Sequence, residues 1–104
     1  MELRVLEVPG CPSAPVLVRR LAEVLADRAE VTVVRRVIAD ADEAARWGMH
    51  GSPTLLAEGR DLFPVAGAGP AVACRLYRSG DGRLEGAPTV AALRQALALA
   101  DSPG

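Results

Sequence analysis

Apolar positions along the chain recur with two different periods, and each change of period marks a new element. Residues 2–8 (Glu, Leu, Arg, Val, Leu, Glu, Val) form an apolar-rich run that stops at Pro9-Gly10, the pattern of a buried first strand. Beyond Cys11-Pro12-Ser13-Ala14-Pro15, apolar residues recur at Leu17, Val18, Leu21, Ala22, Leu25 and Ala29. That is helical spacing, and Arg19, Arg20, Glu23 and Asp27 fall mostly on the opposite face. Pro12 and Pro15 lie in or near the first turn, where a missing N–H costs little. The spacing therefore predicts a helix of about four turns beginning at or just after Cys11.

The β-branched run Val31–Ile38 predicts a second strand, and residues 40–47 a short helix with acidic residues in its first turn. Trp47 leads into Gly48-Met49-His50-Gly51-Ser52-Pro53, a loop too rich in breakers to continue that helix. Thr54–Ala57 reads as a third strand, residues 60–70 as a loop, and Ala71–Arg78 as a fourth strand turned by Ser79-Gly80-Asp81-Gly82. Thr89 caps a last amphipathic helix through Leu93, Leu97 and Leu99 to about Ala100, and residues 101–104 are a frayed tail.

The order β-α-β-α-β-β-α predicts an α/β domain over residues 1–100, with a mixed four-stranded sheet flanked by helices. The first two strands, joined by a helix, should be parallel. The third and fourth, with no helix between them, should pair as an antiparallel hairpin.

Composition narrows the function classes. A chain of 104 residues fits one domain, and with half its residues apolar it has material for a core built mainly of Val, Leu and Ala. Twelve basic side chains, all Arg, face 13 acidic ones, so neither a nucleic-acid nor an anionic membrane surface is an expected partner. Charges interrupt the first residues, which excludes a secretion signal there, and no run reaches the ~20 apolar residues of a membrane span. A cytoplasmic location is expected, and with it free thiols at Cys11 and Cys74.

Two motifs carry chemistry. Gly10-Cys11-Pro12 lies between a strand and a helix, where unpaired N–H groups and the positive end of the helix dipole favour a thiolate. Gly51-Ser52-Pro53-Thr54 opens the third strand. With this element order, residues 2–100 resemble the thioredoxin-like superfamily. The resemblance implies that Cys11 is the reactive cysteine and that Ser52–Pro53 is a cis peptide whose loop lies against it. It also implies that Pro12, Ser52 and Pro53 meet the substrate.

The chain departs from that family at Cys11-Pro12-Ser13-Ala14, which lacks the second cysteine of a Cys-x-x-Cys motif. A dithiol mechanism would have to recruit Cys74. In the expected hairpin Cys74 lies about four residues, roughly 13 Å, from the thiol end of the sheet, beyond the ~7 Å reach of a disulfide. An apolar strand position makes it a buried core residue. His50, the one histidine, is a modulator of the thiolate, a metal ligand or, most simply, a solvated loop residue. Trp47 is either packing or the wall of a groove. Glu58 and Asp61 read as hairpin charges, and Arg35-Arg36 as a solvated strand end.

Three functions follow from these residues. The first is monothiol redox or thiol-exchange chemistry at Cys11, oxidoreductase-like, with no resident cofactor or metal but with glutathione or another small thiol as co-reactant. The second comes from Trp47–Leu56 and Cys74-Arg75-Leu76-Tyr77, which resemble small actinobacterial proteins labelled alkylmercury lyase-related. There Cys11 and Cys74 would be soft-metal ligands and Asp61 an acid. The third is a binding module that kept the fold and holds an extended peptide beside Pro53. Monomer and homodimer are both compatible with the sequence.

Overall fold

In a computed structural model of the chain, residues 1–100 are described, with side chains described through residue 98. The predicted tail at 101–104 and the side chain of Leu99 lie outside the described residues. In chain order the elements are β1 (Glu2–Glu7), α1 (Ala14–Val24), β2 (Thr32–Val37), α2 (Ala41–Trp47) and β3 (His50–Ser52). There follow β4 (Thr54–Ala57), β5 (Arg60–Asp61), β6 (Ala71–Cys74), β7 (Tyr77–Arg78), β8 (Leu84–Glu85) and α3 (Val90–Ala100).

A mixed sheet of order β2-β1-β4-β5 forms the centre. β1 and β2 are parallel, with Leu3 opposite Val33 and Glu7 opposite Val37, as expected of two strands joined by a helix. β4 runs antiparallel to β1, placing Thr54 beside Leu6. Alternation along β1 divides the core between the two faces. Leu3 and Val5 pack with Leu55 against Leu17 and Leu21 of α1 and Leu93 and Leu97 of α3. Leu6 and Leu56 pack with Ile38, Met49 and Ala44 of α2 on the other face. No helix among the described residues is long and apolar enough to cross a membrane.

Local chemistry sets the helix ends. α1 begins at Ala14, three residues beyond Cys11, because Gly10 takes a φ of 73° and the Cys11 N–H closes a turn on Val8 O at 3.2 Å. It ends at Val24, short of the predicted Ala29. The Leu25 N–H still bonds Leu21 O, but Arg28 N–H then bonds Leu25 O, and the chain continues in turns. α2 starts where expected: the Asp40 carboxylate accepts from Glu43 N–H at 2.9 Å, and Gly48 ends the helix in the left-handed region at φ 82°. α3 is capped by Thr89 Oγ1, which accepts from Ala92 N–H at 3.1 Å.

The strand reading needs correction after residue 47. The predicted loop 48–53 contains β3, and the strand pairing with β4 is β5, not Ala71–Arg78. Glu58 and Gly59 both take positive φ (49° and 82°), the requirement of a two-residue hairpin, so β4 turns straight into its own partner. Ala71–Arg78 breaks in two. β6 pairs in parallel with β3, and β7 pairs with β8 in a separate small ribbon. Residues 62–89 thus form a long insertion between β5 and α3.

Candidate thiol site

Cys11 is half-buried in the turn between β1 and α1. Its N–H bonds Val8 O, while Val8 N–H donates to Ser52 Oγ at 3.0 Å. The first bond closes the thiol turn, and the second ties that turn to the Ser52–Pro53 segment. The Ser52–Pro53 peptide is cis, and both residues are buried. Pro12 is exposed beside the thiol.

The insertion comes back over this segment. Ser52 is opposite Cys74 in the β3–β6 pairing, and Ser52 O accepts from Arg75 N–H at 3.0 Å. Pro53 O accepts from the Tyr77 hydroxyl. The carbonyls of Ser52 and Pro53, two of the residues expected to meet a substrate, are thus already bonded within the chain. Cys74 is exposed, which corrects its reading as a core residue, and it lies across from Ser52 rather than part-way along a hairpin. The cause is the parallel β6, which the antiparallel hairpin reading did not contain.

Behind Cys74, Arg75 and Tyr77 turn inward. The Arg75 guanidinium is buried, and its Nη1 donates to Asp61 Oδ2 at 2.8 Å and to Thr54 Oγ1 at 3.3 Å. Its Nη2 donates to Asp61 Oδ1 and to Phe63 O. Asp61 is therefore a buried counter-ion, not a solvated hairpin charge, and its carboxylate is committed to Arg75 rather than free as an acid. The Tyr77 ring lies under the Arg75 guanidinium at 4.7 Å and meets Phe63 edge-on at 5.5 Å. Burial pushes the Tyr77 hydroxyl well above its ordinary pKa. The Arg75 charge opposes that rise, and the charges of Asp61 and Cys11 add to it. Cys11 is thus within electrostatic reach of Tyr77.

The far side of the thiol turn is closed by the end of the insertion. A Cβ on Gly86 would come within 2.1 Å of Ser13 Oγ, so residue 86 presses on the start of α1. Arg20 Nη1 holds this segment by donating to Ala87 O at 3.3 Å and Pro88 O at 3.0 Å.

The other candidates are engaged elsewhere. His50 Nδ1 is 3.2 Å from Gly69 O, and the His50 backbone N–H donates to Thr54 Oγ1. Two guanidinium groups stack on the Trp47 ring, Arg36 at 3.8 Å and Arg4 at 5.1 Å from its centre, and the side chain packs against the α2-side core. Arg35, read as solvated, forms a two-bond pair with Glu7 at 2.8 and 2.9 Å. Glu58 Oε1 accepts from Glu2 N–H.

The sequence reading missed Arg75, Tyr77 and Gly86. Their signal is faint: Arg75 and Tyr77 alternate with Cys74 and Leu76, a two-residue period that places them inside but names no partner. No protein-family model, no curated protein and no solved structure matches the chain.

Proposed function

We propose that this is a thioredoxin-like thiol protein in which Cys11 alone is the nucleophile in thiol–disulfide exchange. The observation that carries the reading is the seating of Cys11. The thiol is half-exposed in a turn ahead of a helix N-terminus, and that turn is pinned to the Ser52–Pro53 segment through Val8. The strand order β2-β1-β4-β5, with helices on both faces, supports the same family.

In the reaction, the Cys11 thiolate attacks one sulfur of a disulfide. That S–S bond breaks, its second sulfur leaves as a thiolate, and a mixed disulfide forms on Cys11. A small thiol in solution, of the glutathione type, then attacks the bound group's sulfur and releases the Cys11 thiolate.

The test is turnover of hydroxyethyl disulfide by glutathione. The wild-type chain and Cys74→Ser should accelerate the exchange, and Cys11→Ser should not. Equal rates for Cys11→Ser and wild type would reject the assignment. A folded Cys11 with no activity in any variant would favour a binding module that kept the fold.

A further inference from the structure

We propose that the disulfide exchanged at Cys11 belongs to a low-molecular-weight compound and not to an extended polypeptide, because the chain's own insertion fills the edge on which a polypeptide would dock. The inference rests on Cys11 being the exchange nucleophile.

A polypeptide substrate gains its affinity near a sheet by adding a strand, its main-chain groups bonding an open edge. At the thiol site that edge is β3, and β6 already lies on it. Ala71 N–H bonds Met49 O at 3.0 Å, and Arg75 N–H bonds Ser52 O at 3.0 Å. The next carbonyl, Pro53 O, is taken by the Tyr77 hydroxyl.

Three contacts fix the strand in place. Buried Arg75 reaches Asp61, Thr54 and Phe63 O. Gly51 approaches so closely that a Cβ there would lie 2.9 Å from Arg75 Cβ and 3.2 Å from Ala73 O. Val72 packs into the core beneath α2. Across the thiol turn, Gly86 presses on Ser13 and Arg20 holds residues 87 and 88. The thiol turn is therefore flanked by two anchored segments, reached at Ser52 through Val8 and at Gly86 through Ser13. A ligand that brings a sulfur on short arms reaches it, and one that needs a length of paired main chain does not. The step is a simple exchange: the protein thiol and a small disulfide give the mixed disulfide on Cys11 and one released small thiol.

The experiment uses full-length Cys74→Ser, so that mass spectrometry reads Cys11 alone. Mixed-disulfide formation is timed at pH 7 with oxidised glutathione and, separately, with insulin, each rate divided by that of the same chain in denaturing urea. Folding should raise the rate with oxidised glutathione and lower it with insulin, separating the two ratios by about tenfold or more. If folding raises both ratios alike, the size selection is wrong and the exchange reading stands. If folding raises neither, the exchange reading fails and takes this inference with it. Amide exchange gives a check that needs no reaction. The Arg75 N–H should be strongly protected, and exchange at the rate of an open loop would mean that β6 does not close the edge.

Discussion

Replacing Asp61 by Asn tests whether the insertion is held as described. Asn keeps an acceptor oxygen for Arg75 but removes the charge, while both side chains of the pair remain only 7% exposed. At ~4 Å and an effective dielectric of ~20, the lost attraction is about 4 kcal/mol. The carboxylate's own desolvation cost disappears with it, but Arg75 stays buried with its charge uncompensated. Breaking one side of such a pair costs about 3–5 kcal/mol. The surviving bonds from Arg75 to Thr54 Oγ1 and Phe63 O place Asp61→Asn near the lower end, at about 3 kcal/mol. In a domain of this size that lowers the melting temperature by about 12–24 °C. Urea unfolding followed by far-ultraviolet circular dichroism should show an earlier midpoint with an unchanged slope. Adding Arg75→Met removes the orphaned charge, so the double variant should recover about 1–2 kcal/mol relative to Asp61→Asn alone. A loss under about 1 kcal/mol for Asp61→Asn, or strictly additive effects in the pair, would refute the reasoning.

Three further predictions follow from the same geometry. Gly51→Ala must accept a φ of 102° and a Cβ 2.9 Å from Arg75 Cβ, so it should cost about 2–4 kcal/mol in urea unfolding. Gly67→Ala, also at positive φ (79°) but with open space around it, should cost only about 1 kcal/mol. Tyr77 is the one tyrosine in the sequence, so tyrosinate absorbance reports it alone. The folded chain should begin to ionise it only above the ~10 of the denatured chain. Because the folded state holds that proton more tightly, its contribution to stability is complete below pH ~10 and falls as pH rises beyond it. Tyr77→Phe should abolish that alkaline loss, and a native titration matching the denatured one would contradict the burial of the hydroxyl. Cys74, exposed opposite Ser52, should take a bulky maleimide in the folded protein nearly as fast as in urea. Strong protection would place it elsewhere.

Periodicity reads well in this chain wherever an element buries one face against the sheet. The apolar spacing in residues 2–8 and 17–25 and the acidic first turn after Asp40 locate β1, α1 and α2, and the helix between the first two strands fixes their parallel pairing. Periodicity does not record pairing between distant short segments. β3 has three residues, two of them Gly51 and Ser52, and exists only because β6 runs beside it. The two-residue turn at Glu58-Gly59 has no Asn-Gly or Asp-Gly to announce it, so β5 was hidden in a stretch that reads as loop. The site divides the same way. Cys11, Ser52 and Pro53 are legible from motif and element order. The burial of Arg75 with Asp61 depends on a chain reversal 14 residues long, which leaves no local pattern. Cys74 was misplaced for that reason, since an alternating strand offers a cysteine two faces and only its partner strand decides between them.

The central claim is that the fold prepares Cys11 for reaction, and alkylation tests it most directly. Cys74→Ser is treated with iodoacetamide at pH 7, folded and in urea, and the modified fraction is followed by intact mass. The account predicts that Cys11 in the folded chain reacts faster than in the denatured one, despite being half-buried. A folded rate equal to or below the denatured rate would mean that the turn ahead of α1 merely shelters a small side chain, and the assignment of Cys11 as a nucleophile would fall.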